Sequence, residues 1–219
     1  MLTELINNDK VLGIYKYGSQ VYGTLTDKSD LDYVVIVDNN YDIIEDTIRY
    51  IDPKNGKHYD FNLYKSDKWQ EMCDNCHITA IEIRSLIGTE YEIKNIKDFN
   101  YVFDVIKIRQ SISAVVSNAW AKAHKKLIVD KDYSPYIAKK SLWHCFRILM
   151  FGIQTYRYGG IVDFNEANSI YDEIVNNECN DWNVYKNKYQ ESLNKLRTEF
   201  RKYSEKEWIE FKKIKYGND

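Results

Sequence analysis

The sequence has no long hydrophobic run. No stretch approaches the ~20 consecutive apolar residues that a membrane-spanning helix requires, and the first residues, Met1-Leu2-Thr3-Glu4, have neither a basic start nor an apolar segment. A secretory signal needs both of these features. We therefore expect a cytoplasmic protein that does not associate with membranes.

The sequence also lacks a strong net charge. It has 31 lysine and arginine residues against 33 aspartate and glutamate residues, which gives a formal net charge of -2 at pH 7. Proteins that bind nucleic acid tightly and without regard to sequence use an excess of basic residues to neutralise phosphates. The composition gives no support for such binding, although it is compatible with local basic patches.

Proline and glycine are scarce. The 219 residues include 2 prolines and 9 glycines, against 19 tyrosines and many lysines, asparagines and isoleucines. This composition suggests an AT-rich coding genome, such as that of a phage or a low-GC bacterium. The sequence contains no internal repeat and no low-complexity linker, and its length suits one compact unit or two small lobes.

Cysteine is also rare, and its spacing resembles two kinds of metal site. The stretch Cys73-Asp74-Asn75-Cys76-His77 has the spacing of a c-type haem attachment site, and Cys145 and Cys179 are the remaining candidates for a zinc set. Haem attachment of this type needs export, for which we find no signal. A zinc site normally pairs two closely spaced knuckles, whereas Cys145 and Cys179 are isolated. We expect reduced thiols that bind no metal.

A Gly-Ser turn near the N-terminus is the first feature that suggests a function. In Tyr17-Gly18-Ser19 this turn closes the apolar stretch 11–15. Such a turn exposes backbone N–H groups without an obstructing β-carbon, and the serine hydroxyl adds another donor. A phosphate group is the ligand that this arrangement suits best.

Acidic residues at the start of a strand are the second feature. Asp30 and Asp32 lead into the apolar run 33–37, and both carboxylates project to the same side because side chains alternate along a strand. Adjacent carboxylates repel each other, which is best explained by a divalent cation between them, and oxygen-only ligation favours Mg²⁺ or Mn²⁺. A third acid is expected from a later strand, and Asp60 in the alternating stretch 58–64 supplies it.

These residues together resemble the DNA polymerase β-like nucleotidyltransferase superfamily. The resemblance covers residues 11–64 and depends on Gly18-Ser19, on Asp30-x-Asp32 before a strand, and on Asp60 in a later strand. In that superfamily the paired acids hold two metal ions, the third acid activates the acceptor hydroxyl, and the Gly-Ser backbone binds the triphosphate of an NTP. The resemblance implies these roles for the corresponding residues here.

The same resemblance implies an α+β fold, with a palm-like mixed sheet, flanking helices and a C-terminal helical lobe. We expect a catalytic domain over residues 1–100 and a helical lobe over residues 101–219 that completes the nucleotide and acceptor site.

Periodicity predicts the elements of both parts. In the first part it predicts strands over 11–17, 32–38 and 57–65, a turn at 53–56, and helices over 2–9, 41–50 and 66–76. Both a helix and a strand are compatible with 77–93, where the apolar spacing fits a helix slightly better. In the second part it predicts helices over 103–128, 134–159 and 164–176, and a bent or broken helix over 182–216. The hydroxyls of Ser66 and Ser134 are expected to cap their helices.

Three basic residues share one stripe of the helix that begins after Ser134, namely Lys140, His144 and Arg147. The opposite stripe is apolar. Because a bound triphosphate needs cations in addition to the metals, we expect Lys140 and Arg147 to contact phosphate or acceptor. His144 is expected to be a hydrogen-bonded partner within the stripe.

Residues 100–165 also resemble the helical part of small uncharacterised nucleotidyltransferases of phages and bacteria. The basic stretch 122–126, with Trp120 and His124, is suited to guiding a short single strand of nucleic acid. Candidate acceptor-binding residues are Arg109, Lys122, Lys126 and His144.

The predicted reaction moves an NMP from an NTP to an acceptor hydroxyl by two-metal catalysis and releases pyrophosphate. Three acceptors stay open: an RNA 3′ end, which is slightly favoured, a protein side chain, and a small molecule such as an aminoglycoside. The alternative is a non-catalytic nucleotide-binding regulator, or an antitoxin-like partner, on the same fold.

Overall fold

The computed structural model describes residues 1–43, 45–95 and 99–216. The chain divides into two compact units, Met1–Val102 and Phe103–Asp219. The first unit has a mixed sheet with flanking helices, and the described part of the second unit is helical. The predicted α+β class with a helical C-terminal part is confirmed. No helix in the described ranges is both long enough and apolar enough to span a bilayer.

The sheet of the first unit places the starts of two parallel strands side by side. Its strands are β1 Val11–Tyr17, β2 Leu31–Val37, β3 Thr47–Ile51, β4 His58–Lys65 and β5 Glu92–Lys94. They lie in the order β3-β4-β2-β1-β5, with β2 and β4 parallel and the other neighbours antiparallel. The end of β1 and the starts of β2 and β4 therefore lie side by side, at the same end of these three strands.

Both faces of β2 are buried, which explains its uninterrupted apolar sequence. Tyr33, Val35 and Val37 belong to one hydrophobic cluster, and Val34 and Ile36 between them are also buried. This burial of both faces of β2 fixes the strand register and with it the positions of the polar residues at the strand starts.

The helices of this unit are α1 Leu2–Ile6, α2 Ser66–Asp74 and α3 Ile78–Leu86.

The helix predicted over 41–50 is wrong. Thr47–Ile51 is the edge strand β3, paired antiparallel with β4. Ile48 and Tyr50 pack against the hydrophobic cluster, so the apolar period is two residues here. β-Branched and aromatic residues beside the open edge of β4 favour strand pairing over helix. Ile44, which the predicted helix included, lies outside the described residues.

The remaining predictions for the first unit are largely confirmed. The strands predicted over 11–17, 32–38 and 57–65 are β1, β2 and β4. The helix predicted over 77–93 ends at Leu86, because Gly88, with φ +77°, turns the chain toward β5. The expected cap by Ser66 is wrong, since Lys65 is the N-cap residue of α2 and its side chain makes no capping bond.

The second unit consists of long helices packed around a central one. Its helices are α4 Val105–Ile128, α5 Pro135–Tyr158, α6 Tyr171–Val175, α7 Trp182–Lys202 and α8 Glu205–Tyr216. The predicted helices over 103–128, 134–159 and 164–176 are confirmed as α4, α5 and a short 3₁₀ turn leading into α6. The predicted break within 182–216 separates α7 from α8.

Helix α5 contacts α4, α6 and α7, and one glycine sets its distance from α7. A β-carbon on Gly152 would lie 2.7 Å from Cε2 of Phe200, so only glycine permits this approach. The helix ends at Gly159 in the left-handed conformation, as predicted. Ser134 is its N-cap residue, but the expected capping bond from the serine hydroxyl is absent among the described contacts.

Candidate active site

The Gly-Ser turn packs directly against one of the predicted carboxylates. Residues Gly18–Gln20 form a single 3₁₀ turn after β1, with Gly18 at φ +64°. A β-carbon on Gly18 would lie 2.1 Å from Oδ2 of Asp32, so the carboxylate occupies the space that any other residue would fill. Gln20 Nε2 donates a 2.8 Å hydrogen bond to the backbone oxygen of Asp32. The turn and the start of β2 are therefore one rigid element.

Two of the predicted acids are direct neighbours in the sheet. Asp32 of β2 and Asp60 of β4 are register partners on parallel strands, so both side chains lie on the same face. Both are half-buried. Asp30 precedes β2 and is exposed, with its Oδ1 3.9 Å from Nδ1 of His58. Asp60 Oδ2 lies 3.9 Å from Nε of Arg49.

The predicted convergence of three carboxylates is only partly present. Within the described ranges, no group of three or more His, Cys, Asp or Glu side chains is arranged to hold a metal ion. The structure brings Gly18, Asp32 and Asp60 together, while the side chain of Asp30 contacts His58. The donors are carboxylate oxygens alone, which is the chemistry that Mg²⁺ and Mn²⁺ prefer. The residue set therefore fits such a cation.

The basic side chains beside these acids bind them weakly. The side chains of Arg49 and His58 are 81% and 57% exposed, and both contacts are 3.9 Å long. Exposed ion pairs of this kind contribute at most about 1 kcal/mol. These two contacts therefore oppose the binding of a divalent cation or a phosphate at the starts of β2 and β4 only slightly.

A buried glutamate anchors both ends of the Gly-Ser turn. Glu82 of α3 is 1% exposed and accepts hydrogen bonds from the hydroxyls of Tyr17 and Tyr22, the latter at 2.8 Å. These tyrosines flank the turn, and their rings meet edge to face at 5.9 Å. Glu82 was not predicted from the sequence. The signal that could have identified it is a carboxylate placed between two apolar residues, Ile81 and Ile83, of a helix.

The residues of the basic stripe of α5 differ in burial. Lys140 is exposed, with Nζ 5.4 Å from the ring of Tyr136. Arg147 is only 5% exposed, and its guanidinium lies over Trp143. Arg147 is therefore buried although it lies on the stripe opposite the apolar one, because other helices surround α5.

His144 is the partner of Arg147, as expected. Arg147 Nη2 and His144 Nδ1 are 2.7 Å apart. Burial, followed by the positive charges of Arg147 and Lys122, holds the pKa of His144 well below its usual 6.5. The imidazole is therefore neutral at physiological pH and accepts from the guanidinium.

The acceptor candidates on α4 differ in their surroundings. Arg109 Nη1 donates to Ser204 Oγ at 3.1 Å, and its guanidinium lies 4.6 Å from the centre of the Trp208 ring, so it joins α4 to α8. Lys126 lies 3.7 Å from Asp132. Lys122 is exposed.

The aromatic residues of the same stretch pack on another ring. Trp120 and His124 both contact Trp182, with ring centres 4.9 and 5.0 Å apart. These contacts fix the two rings, although Trp120 stays partly exposed.

The four cysteines are free thiols. Cys73, Cys76 and Cys145 are buried, and Cys179 is partly exposed. Burial raises the pKa of Cys73 to about 11 and that of Cys145 to about 12. Because a thiolate is the form that binds metals and attacks electrophiles, these two groups are unreactive at neutral pH.

Comparison with known proteins bears on the first unit. Residues 1–98 match the family model described as "Nucleotidyltransferase domain". A solved structure with similarity to the chain is a nucleotidyltransferase-like protein from Exiguobacterium sibiricum 255-15, with 16% identity and a TM-score of 0.34, over 93% of this chain and 75% of that one. A TM-score this low carries no argument about fold or function. No curated protein is significantly similar in sequence. Residues 1–98, which include the Gly18 turn and the carboxylates, are therefore similar to a nucleotidyltransferase domain.

Proposed function

We propose that the protein transfers an NMP from an NTP to an acceptor hydroxyl and releases pyrophosphate. The nucleotidyltransferase domain supports nucleotidyl transfer in general. The observation that carries the specific proposal is the packing of Gly18 against Asp32, with Asp60 next to Asp32 in the sheet. A phosphate-binding turn with carboxylates beside it supplies the positioning and charge that such a transfer requires.

The roles of the residues follow from their chemistry. The backbone N–H groups of Gly18 and Ser19 and the serine hydroxyl bind the β- and γ-phosphates. The acceptor oxygen attacks the α-phosphorus, and the bond from that phosphorus to pyrophosphate breaks. The proton of the acceptor hydroxyl passes to a carboxylate oxygen of Asp60.

Asp30, Asp32 and Asp60 are the residues that would hold Mg²⁺ or Mn²⁺. A bound divalent cation offsets phosphate charge and makes the acceptor hydroxyl easier to deprotonate. The oxygen-only donor set and the weak contacts of Asp30 with His58 and of Asp60 with Arg49 support this assignment.

Of the two α5 cations, Lys140 is the one we propose for the triphosphate, because it is exposed while Arg147 is buried. Lys122 is the exposed acceptor candidate on α4. Arg109 and Lys126 have protein partners, and we propose that they and Arg147 support the helical unit.

An RNA 3′ end is the acceptor that we place first, ahead of a protein side chain and a small molecule. The test is incubation of the purified protein with each α-labelled NTP, Mg²⁺ and either total cell RNA, total cell protein or an aminoglycoside. We expect label at the 3′ end of RNA. Label in protein or in the small molecule would replace RNA with that acceptor.

The alternative is a non-catalytic nucleotide-binding regulator. Within the described residues the three carboxylates do not converge on a metal position, and the Asp30 side chain lies against His58 instead, which favours this alternative. NTP binding without pyrophosphate release, under all three acceptor conditions, would support this alternative.

A further inference from the structure

The helical unit contains a cavity whose lining residues lie far along the chain from Gly18, Asp32 and Asp60. It has a volume of about 200 Å³ and lies between α4, α5 and α7. Its lining includes Ser113, Ser117 and Trp120 of α4, Leu149 of α5, and Arg197 and Arg201 of α7.

Two guanidinium groups share this cavity without a carboxylate. Among the described residues, no carboxylate forms an ion pair with Arg197 or Arg201; Arg197 Nη1 instead donates to the neutral Oδ1 of Asn194 at 3.3 Å. Burial, and to a smaller extent the charge of Arg201, lowers the pKa of Arg197, while Cys145 opposes this. Arg197 is half-buried and Arg201 is exposed, and their like charges at one cavity repel each other. A bound anion would remove that repulsion.

The remaining lining fits a phosphate group. Guanidinium groups bind phosphate oxygens through paired N–H donors, and the Ser113 hydroxyl is an additional donor of a kind that is common at phosphates. The Ser117 hydroxyl already donates to the backbone oxygen of Ser113 at 2.8 Å. The Trp120 ring, held against Trp182 at 4.9 Å, gives one wall a fixed aromatic edge.

The volume limits the size of the ligand. Sites for whole drug-sized molecules are about 300–1,000 Å³, so about 200 Å³ accepts a phosphate group and few further atoms. We propose that the Arg197–Arg201 cavity binds the phosphate of a small phosphate monoester. This proposal does not depend on the proposed transfer reaction.

The test follows the indole N–H signals of the intact protein by NMR during titration with inorganic phosphate and, separately, with AMP. The chain has 5 tryptophans, and a Trp120→Phe variant identifies the signal of Trp120. Trp69 of α2, buried against Tyr64 in the first unit, is the internal control for a general response of the protein to the ligand. We expect both ligands to move the Trp120 signal in a saturable way, at concentrations that leave Trp69 unchanged.

Variants of α7 test the role of the two arginines. Arg201 is exposed, so Arg201→Ala should fold and should weaken binding by at least about tenfold, the effect of losing one charge-assisted contact. Arg197→Lys keeps the charge but loses the paired donors and should also weaken binding. Lys195→Ala removes an exposed cation from the same helix and should bind like the parent.

Three results would overturn the proposal. They are an unmoved Trp120 signal with both ligands, unchanged affinity in both arginine variants, and an equal loss of affinity in Lys195→Ala. A response to AMP alone would support it and show that the ester group also contributes.

Discussion

The two units place their charged residues in opposite ways. In the sheet unit, Asp30, Asp32 and Asp60 lie at one edge, at least partly exposed, and the backbone around them is held by Gln20 and Glu82. In the helical unit, Arg147 is buried against aromatic rings and Arg109 joins two helices. Charges in the first unit are thus available for chemistry, whereas these two arginines support the fold. Substitutions of the three carboxylates should therefore reduce activity, whereas substitutions of Arg147 or Arg109 should reduce stability.

We expect the largest loss of activity from Gly18→Ala, in the sheet unit. The added β-carbon would overlap Asp32 Oδ2, and the left-handed conformation adds strain. We expect transfer activity to fall by at least about a hundredfold, as for the loss of a key transition-state contact.

Gly56→Ala is the matched control, measured for both transfer rate and urea unfolding. Gly56 has a similar φ of +68° but no atom within 4 Å of the added carbon. Its cost should be about 1–2 kcal/mol of stability with full activity. Equal activity in the two variants would show that the contact of the turn with Asp32 is irrelevant to the reaction.

Arg147→Ala should mainly destabilise the helical unit. It removes a buried guanidinium that contacts His144 and two aromatic rings, which we expect to cost about 2–4 kcal/mol. Lys140→Ala is the comparison, because an exposed lysine should cost less than ~0.5 kcal/mol while weakening NTP binding about tenfold or more. Urea unfolding and NTP titration of both variants measure this. A stable Arg147→Ala protein with weakened NTP binding would reverse the assignment of the two residues.

Glu82→Gln should loosen the Gly-Ser turn. The amide offers one oxygen where the carboxylate accepts from two tyrosine hydroxyls, so we expect a loss of about 1–3 kcal/mol. KM for NTP should rise more than kcat falls, because Glu82 positions the turn and does not touch the substrate. Unfolding and steady-state kinetics are the measurements. A stability loss with unchanged KM would limit Glu82 to the core.

The smallest effect is a pH dependence from His144. Because its folded pKa is lowered, the unfolded chain binds more protons below pH 6.5. The stability contribution is complete above that pH and is lost as the pH falls, by up to about 1.4 kcal/mol per pH unit. His77, whose pKa is also lowered, acts in the same direction. His144→Gln should reduce the slope seen in urea unfolding between about pH 7 and about pH 5; an unchanged slope would contradict the assignment.

The sequence predicts side-chain direction correctly where residues alternate regularly along a strand. Along β2 and β4 the period of two determines which side each residue faces, so Asp32 and Asp60 were placed correctly on one face. Along α5 the stripe was identified, but its exposure depends on how many helices surround it, which no local pattern gives. The same limit hid Arg197 and Arg201, since a cavity between helices is a product of packing.

Strand β3 shows a further limit. Its apolar residues fit a helical spacing as well as an alternating one, and only the open edge of β4 decided between them. The contact of Glu82 with Tyr17 and Tyr22 likewise joins residues about sixty positions apart in the chain. Both features depend on tertiary structure.

The central claim is that the Gly18 turn and the neighbouring carboxylates perform nucleotidyl transfer. Its most direct test is pyrophosphate release from NTP with Mg²⁺ and acceptor, measured for the parent, for Asp32→Asn, and for Asp27→Asn as an exposed carboxylate before the same strand. We predict release by the parent and by Asp27→Asn. We expect a loss of about a thousandfold in Asp32→Asn, which corresponds to about 4 kcal/mol of transition-state stabilisation, with unchanged thermal stability. Equal rates in Asp32→Asn and the parent would contradict the account.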